Sequence, residues 1–426
     1  MPFEELWQYS IGGRNSLLME RTILHCDLNA FYASVECLHR PELKDIPMAV
    51  SGNTENRRGI ILAKNELAKK YGIVTAETVW QAKKKCPFLV LVAPHHESYH
   101  RYSKLVNQLY EKFTDRVEPF GIDESWLDVT GSLHLFGSGK DIADKIRETV
   151  KRELGLTVSA GVSFNKVFAK LGSDYRKPDA TTVINRENYK DMVYPLPVSD
   201  LLYVGKAAAD ALAKFGIKTI GQLAKSDKKL ISAKLGKTGE MLHDYANGID
   251  ESPVKFAQEP REVKSVGNGM TFKRNLTGLA DINTGVLALS DKVATRLRKA
   301  GLKCNTVQVV IKDPQFKAIS RQKKLTKPTQ LSREISCVAM DIIKAAWNLR
   351  APIRMLTITG ANLVDENCFE QSSLFCEEED KRREKMERIE EAVDNIRSRY
   401  GRGSISFGSI INNDIGISYS GVEDDE

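Results

Sequence analysis

Two short acidic stretches, at residues 22–36 and 120–129, constrain the fold of this chain more than any other feature. Residues 22–26 form an apolar, partly β-branched run typical of a strand, and helical spacing of apolar residues begins after Ala30. Asp27 therefore lies where a strand ends and a turn leads into a helix. Residues 120–129 are predicted to form two strands joined by an acidic turn, with Asp123 and Glu124 at or near its tip.

The adjacent carboxylates repel each other, so a cation is expected to neutralise them. Hard divalent cations such as Mg²⁺ prefer oxygen ligands and keep water positions open for substrate phosphates. Asp27, Asp123 and Glu124, together with the main-chain carbonyl of Leu28 and a triphosphate, would complete two octahedral sites for phosphoryl transfer. For either stretch alone, a helix cap at Asp27 or a solvated acidic turn is the alternative interpretation.

In combination, HCDLNAFYASVE at residues 25–36 and GIDESWLDVTG at residues 121–131 resemble the Y-family, or translesion, DNA polymerases, specifically the bacterial DinB and UmuC branches. The resemblance covers residues 21 to 375 and implies that Asp27, Asp123 and Glu124 are catalytic and hold two Mg²⁺ ions, with the Leu28 carbonyl as a further ligand. It implies that Tyr32 is the steric gate against a 2′-hydroxyl and that Phe31 beside it also contacts the incoming dNTP. The implied activity is low-fidelity, template-dependent translesion synthesis without a proofreading exonuclease.

Composition favours a soluble protein of several domains. The 426 residues are enough for three or four domains, no apolar run is long enough to span a membrane, and the N-terminus lacks a signal-peptide pattern. Seven scattered cysteines without metal-site spacing favour free thiols in the cytoplasm. Residues 261–361 contain 19 Lys and Arg against six Asp and Glu, which indicates a polyanionic partner. We therefore expect a cytoplasmic monomer that binds primer-template DNA and no membrane.

The order of predicted elements favours a multidomain α/β (α+β) fold. After residue 21 the order strand, helix, strand, strand, helix, strand is the split βαβ pattern of a ferredoxin-like sheet, and a second βαββαβ pattern spans residues 263–361. The resemblance implies a right-hand polymerase divided into an N-terminal extension (1–20), a ferredoxin-like palm (21–39 and 96–184), small fingers (40–95), a helical thumb with a helix-hairpin-helix (185–252), a linker (253–260), a little finger (261–362) and a C-terminal tail with a clamp-binding motif and a charged helix (363–426).

Two lysines are candidates for binding the triphosphate. The resemblance implies that Lys177, which precedes a proline, and Lys69 contact the incoming dNTP, where a cation stabilises the charge of the leaving pyrophosphate. A surface lysine on an amphipathic helix is the alternative interpretation of Lys69. Ala63 and Glu66 depart from the DinB pattern and stand closer to UmuC. The branch, and with it the need for accessory subunits, stays open at this point.

Two further segments point to macromolecular partners. Residues 196–224 resemble a helix-hairpin-helix that binds DNA phosphates, although Tyr203 replaces the usual first glycine of the turn and a plain α-hairpin is the alternative. Gln371, Leu374 and Phe375 fit the QxxLF peptide by which bacterial polymerases bind the sliding clamp, and exposed apolar residues of this kind are expected to be buried by a partner. Residues 378–399 are predicted to form a highly charged helix, either exposed to solvent or lying on that partner.

Two other functions fit parts of the pattern. A non-catalytic DNA- and clamp-binding scaffold on a polymerase fold would share the basic domain, but it would not need Asp27, Asp123 and Glu124. A nucleotidyl cyclase would share the palm, but it would need neither the basic C-terminal domain nor the hairpin of the thumb. The residues therefore favour the polymerase.

Overall fold

The computed structural model describes residues 20–53, 59–259, 262–368, 377–411 and 413–417. The described strands are β1 (Ile23–Leu28), β2 (Met48–Ser51), β3 (Ile61–Lys64), β4 (Val90–Val92), β5 (Val117–Pro119), β6 (Glu124–Asp128), β7 (Val158–Ser163), β8 (Thr181–Ile184), β9 (Ser265–Leu276), β10 (Leu302–Lys312), β11 (Ala318–Thr329) and β12 (Ile353–Asp365). The described helices are α1 (Phe31–His39), α2 (Glu66–Lys70), α3 (Val79–Lys85), α4 (His96–Tyr110), α5 (Leu133–Phe136), α6 (Gly139–Leu154), α7 (Lys166–Tyr175), α8 (Tyr189–Val193), α9 (Lys206–Ala213), α10 (Ile220–Ala224), α11 (Lys228–Ala246), α12 (Gly278–Lys299), α13 (Ser332–Ala346) and α14 (Glu377–Tyr400).

The chain divides into two compact units, which are described separately. The first unit consists of Met1–Val50, Leu62–Val74 and Lys83–Glu259, and the second of Ser51–Ile61, Thr75–Ala82 and Pro260–Glu426. Within the described ranges, no helix combines the length and the apolar character needed to cross a bilayer.

The first unit is built on a five-stranded sheet, here called the palm sheet, with the order β5-β6-β1-β7-β8. β1 lies in the centre and runs antiparallel to both β6 and β7, while β8 runs parallel to β7. The first four strands and their crossovers have the ferredoxin-like order predicted from the sequence, which confirms that fold class. The edge strand β8 is an addition that the sequence pattern did not predict.

Helices cover the palm sheet because their apolar residues recur at helical spacing. In α6, Ile142, Ile146 and Val150 are one turn apart and fully buried. Ser138 begins this helix with a capping box, since its hydroxyl accepts from the Asp141 N–H and the Asp141 carboxylate accepts from the Ser138 N–H. Helix packing of this kind supports the palm sheet, in which β1 is held between β6 and β7.

Two smaller groups of elements lie between and after the strands of the palm sheet in chain order. β3, β2 and β4 form a three-stranded sheet. Asn65 caps the N-terminus of α2, since its side chain accepts from the Ala68 N–H. Helices α8 to α11 share an apolar core that includes Leu212 and Ile220. Before α9 the backbone of Tyr203 takes the left-handed conformation, with φ of 68°, at the position where the helix-hairpin-helix pattern has glycine.

The segment after α11 is anchored to the palm sheet at several points. The Lys255 N–H donates to Glu118, the Arg116 guanidinium lies 4.2 Å from the centroid of the Phe256 ring, and Val254 is fully buried. Glu118 also accepts from the ammonium of Lys166 at 2.6 Å. The first part of the predicted linker is thus held against the sheet in this structure.

The second unit contains a four-stranded antiparallel sheet, here called the C-terminal sheet, with the order β11-β10-β12-β9. Its elements follow the predicted βαββαβ order, with α12 and α13 packed on the sheet. The neighbours differ from those in the palm sheet, because the first strand β9 lies at an edge whereas β1 lies in the centre. An identical order of elements along the chain therefore produces two different sheets.

One face of the charged helix α14 is docked within this unit, whereas most of its residues between 381 and 400 are exposed. The predicted exposure to solvent therefore holds for its outer face, and contact with a partner stays a prediction. The side chain of Arg298, in α12, is 8% exposed and pairs with Glu390 and with Asp394. Arg397 pairs with Asp291 of α12 at 2.9 Å, and both residues are buried. The charges of one helix face are thus matched by charges on α12.

The residues after α14 return to the C-terminal sheet. Ile410, Ile415 and Ile417 are buried in its core, and the Lys273 N–H of β9 donates to the Ile415 carbonyl at 2.9 Å. Ile410, Ile415 and Ile417 are therefore an integral part of the core of this unit.

Candidate active site

The three predicted carboxylates come together at one end of the central strands of the palm sheet. The register of β1 and β6 places Asp27 directly opposite Glu124. The Leu28 N–H donates to the Asp123 carbonyl at 2.9 Å, which ties the acidic turn to the end of β1. Hydrogen bonding between antiparallel neighbours thus produces the convergence that the sequence predicts.

Lysines from the α7 region neutralise two of these carboxylates. The Lys177 ammonium lies 2.8 Å from a carboxylate oxygen of Asp27 and 2.6 Å from one of Asp174. Lys170 forms an ion pair with Glu124. One helix and the residues just after it therefore direct two ammonium groups toward the acidic end of β1 and β6.

His25 adds a buried imidazole beneath Glu124. Its Nε2 lies 3.1 Å from a carboxylate oxygen of Glu124, and its Nδ1 lies 2.8 Å from the Ser173 hydroxyl. This contact of His25 was not predicted from the sequence, although His25 is the first residue of the HCDLNAFYASVE motif. Alternation along β1 was the available signal, because His25 and Asp27 are two residues apart and share a face of the strand.

The electrostatic environment differs among the three acids. Burial, together with repulsion by Asp27 and Glu124, raises the pKa of Asp123 to about 6. Burial also raises the pKa of Asp27, against the opposing attraction of Lys177. Burial disfavours ionisation of Glu124, but hydrogen bonds from His25 and Lys170 outweigh it and lower its pKa to about 2. Negative charge is therefore concentrated at this site, and ionisation is least favourable at Asp123.

The donor chemistry fits hard divalent cations, although two of the donors are paired with lysines. Among the described residues, no three His, Cys, Asp or Glu side chains lie close enough together to hold a metal ion with their present side-chain positions. Carboxylate oxygens are the ligands that Mg²⁺ prefers, and a cation beside Asp123 would offset the repulsion that raises its pKa. The carboxylates of Asp27, Asp123 and Glu124 therefore suit a divalent cation chemically, although Lys177 and Lys170 are paired with Asp27 and Glu124 in this structure.

The predicted nucleotide-contacting residues occupy different environments. Tyr32, in the first turn of α1, is half-buried and stacks on Tyr99 of α4 with ring centroids 4.0 Å apart. Phe31 is 3% exposed and packs in the core of the palm sheet. Lys69, in α2, is exposed and lies 3.7 Å from Glu66. Gln371, Leu374 and Phe375 lie outside the described residues.

Comparisons with known proteins agree with this geometry. Residues 26–174 match the impB/mucB/samB family, and residues 263–374 match the C-terminal domain of the same family. A DNA polymerase IV from Acetivibrio thermocellus is 48% identical over 393 residues, which cover 92% of this chain and 98% of the relative. A DNA polymerase IV from Clostridium kluyveri is 37% identical over 397 residues, which cover 92% and 99% respectively.

A solved structure shows the same fold. A Y-family DNA polymerase chimera superposes with a TM-score of 0.72 at 21% identity, and the match covers 81% of this chain and 99% of that structure's chain. The chain belongs to the impB/mucB/samB family, which is the Y-family of DNA-directed DNA polymerases. Within that family it is DinB-like, since both relatives carry the name DNA polymerase IV. The predicted resemblance and fold class are thereby confirmed, and the enzyme acts in translesion DNA synthesis.

Proposed function

We propose that the enzyme extends a primer past damaged template bases by two-metal nucleotidyl transfer at the acidic end of β1 and β6. The observation that supports this proposal is the convergence of Asp27, Asp123 and Glu124 on adjacent central strands. These carboxylates and the Leu28 carbonyl would hold two Mg²⁺ ions. Bound there, the ions would activate the primer 3′-hydroxyl and stabilise the pyrophosphate as it leaves.

The lysines at the site would change partners when substrate enters. Lys177 pairs with Asp27 and Asp174 in this structure. A bound triphosphate brings several negative oxygens, so the Lys177 ammonium would donate to it and release Asp27 to the metal. Lys69, on the exposed side of α2, would supply a second cation to the triphosphate.

Residues at the start of α1 would form the floor beneath the incoming sugar. The half-buried ring of Tyr32 would exclude a 2′-hydroxyl, as the steric gate. Phe31 is packed in the core, so its contribution to dNTP binding would be to fix the start of α1 rather than to present a ring to the nucleotide.

We also propose the division into palm, fingers, thumb and little finger at the boundaries given above. The basic C-terminal sheet domain would contact DNA phosphates without reading the bases, and that contact would weaken as salt rises. The enzyme would act as a monomer, and residues 371–375 would dock it on a sliding clamp. Open-pocket synthesis without a proofreading domain would make copying error-prone.

Primer extension on an undamaged primer-template, with Mg²⁺ and single dNTPs, tests the catalytic proposal. Asp123→Ala should lower the incorporation rate by more than about a hundredfold, because metal-ion stabilisation is worth several kcal/mol, while DNA binding is retained. Asp115→Ala, which removes an exposed carboxylate just before β5, is the matched control and should extend like the wild type. Extension by Asp123→Ala would contradict the assignment. Wild-type protein that binds DNA without extending it would favour the scaffold or a missing subunit.

Clamp docking needs its own test. Replacing both Leu374 and Phe375 by Ala should abolish retention on an immobilised bacterial sliding clamp and leave extension on short templates unchanged. Ser372→Ala, in the same segment, is the control. Retention of the double variant at wild-type levels would contradict the proposal that this segment binds the clamp.

A further inference from the structure

A buried contact set joins α1 to α4 directly beside the proposed steric gate. Tyr32 and Glu36 lie one turn apart on the same side of α1. The ring of Tyr99, from α4, stacks on that of Tyr32 with an interplanar angle of 10°. The hydroxyl of Tyr99 donates to the Glu36 carboxylate at 2.5 Å. One side chain from α4 thus touches both residues.

The Glu36 carboxylate is in a position to fix Tyr99. Glu36 is 1% exposed, and besides the Tyr99 hydroxyl it contacts the His95 Nδ1 at 2.9 and 3.1 Å. A buried carboxylate without partners is costly, so these contacts strongly favour a single placement of Tyr99. The Tyr99 ring is therefore held at its hydroxyl by Glu36 and on its face by Tyr32.

His96 limits the remaining freedom of the two rings. Its imidazole meets Tyr32 edge-on, with centroids 6.0 Å apart, and meets Tyr99 edge-on at 5.7 Å. The Tyr32 ring is confined on one face by Tyr99 and at another side by His96. A gate that works by steric exclusion needs this kind of confinement, because a ring that yields would admit the larger sugar.

We propose that Glu36 is a positioning residue for sugar selection, which acts through Tyr99 to hold the Tyr32 ring against the 2′-hydroxyl of a ribonucleotide. This inference rests on the proposed function of Tyr32. It adds a determinant of selectivity that does not touch the nucleotide. The chain supplies it from α1 itself, one turn after the gate, with α4 as the bridge.

Single-nucleotide insertion kinetics on the full-length enzyme test the inference. The kcat and KM for dGTP and for GTP opposite a template dC are measured for the wild type, Glu36→Ala, Glu36→Gln, Tyr99→Phe and Tyr32→Ala. Tyr102→Phe is the matched control, since Tyr102 also lies in α4 and contacts His39 of α1 instead of Tyr32. Thermal unfolding checks that each variant is folded.

Glu36→Ala should lower the ratio of kcat/KM for dGTP to kcat/KM for GTP by at least about tenfold, which is the low end of the effect of a small change in pocket shape. Most of the change should come from better use of GTP. Glu36→Gln should restore much of the selectivity, because its amide oxygen still accepts from the Tyr99 hydroxyl. Tyr99→Phe should also lower the ratio, and it keeps the inference testable if Glu36→Ala does not fold. In the Tyr32→Ala background, Glu36→Ala should have no further effect.

Different outcomes separate the inference from the function on which it rests. Wild-type selectivity in both Glu36→Ala and Tyr99→Phe, with a loss in Tyr32→Ala, would overturn the inference and leave the gate intact. A further loss when Glu36→Ala is added to Tyr32→Ala would overturn action through the gate. Wild-type selectivity in Tyr32→Ala would overturn the steric gate itself, and the inference with it.

Discussion

Replacing Arg298 by Met is expected to release α14 from the helices on which it is docked. Arg298 pairs with Glu390 and Asp394 of α14, and its guanidinium also donates to the Gln330 carbonyl at 2.9 Å. Met has a similar apolar stem, so the substitution removes the charge with little loss of packing volume. The variant therefore isolates the ion pairs that attach this helix.

The size of the effect follows from burial. Loss of one partner from a buried ion pair costs about 3–5 kcal/mol, because the other charge stays buried and uncompensated. Glu390 keeps the N–H and hydroxyl of Ser332 as donors, which favours the lower end of that range. At about 1.4 kcal/mol per factor of ten, 3 kcal/mol raises the population of the undocked helix by about a hundredfold.

Hydrogen exchange on the full-length protein measures this opening directly. Amides of α14 should exchange about a hundredfold faster in the variant, while those of the palm sheet should keep their rates. Lys323→Met is the control, because the ion pair of Lys323 with Asp341 is exposed and such pairs are worth about 0–1 kcal/mol. Unchanged protection of α14 in Arg298→Met would refute the reasoning that these buried charges hold the helix.

Three further predictions concern the first unit. Lys177→Met should raise the KM for dNTP by about tenfold or more, because a charge-assisted contact to the triphosphate is lost; steady-state kinetics check this, and an unchanged KM would argue against the proposed role. Chelation with EDTA should stop extension, and added Mg²⁺ should restore it, whereas extension that persists in EDTA would contradict the two-metal mechanism. Gly161→Ala should destabilise the protein by about 1–3 kcal/mol or more, since the added Cβ would lie 1.9 Å from the Ala169 carbonyl oxygen. Gly131→Ala, where no atom lies within 4 Å of the added Cβ, is its control in thermal unfolding, and equal melting temperatures of the two variants would contradict the prediction.

The meeting of the carboxylates was predictable because strand ends and acidic turns leave clear local patterns. Asp27 follows an apolar run and Glu124 begins another. The hydrogen bonding of β1 with β6 then places the two residues opposite each other. The contacts of Tyr32 were not predictable in the same way. Glu36 is visible one turn after Tyr32, but its partner Tyr99 lies 63 residues away and no local periodicity pairs them.

The order of strands in the C-terminal sheet and the docking of α14 could not be predicted from local sequence patterns for a related reason. The alternation of apolar residues marks a strand but does not specify its neighbours. The ferredoxin-like pattern places β1 in the centre of its sheet, but the same order of elements did not predict that β9 lies at an edge. The charges of α14 resemble those of a solvated helix, and the partner of Glu390 lies 92 residues away in α12. Charge complementarity of this kind becomes visible when the two helices are placed side by side.

The return of the chain to β9 has a practical consequence for shortened versions of this enzyme. β9 is the edge of the C-terminal sheet, and Gly416 lies so close to it that a Cβ there would meet the Cβ of Lys273 at 2.8 Å. Uncovered edge strands pair readily with other chains and promote aggregation. A protein cut at residue 374, where the match to the family's C-terminal domain ends, would lose this cover and the buried isoleucines behind it. Such a truncation should be judged by its solubility and self-association before any loss of activity is assigned to the proposed clamp-binding segment, from which it removes Phe375.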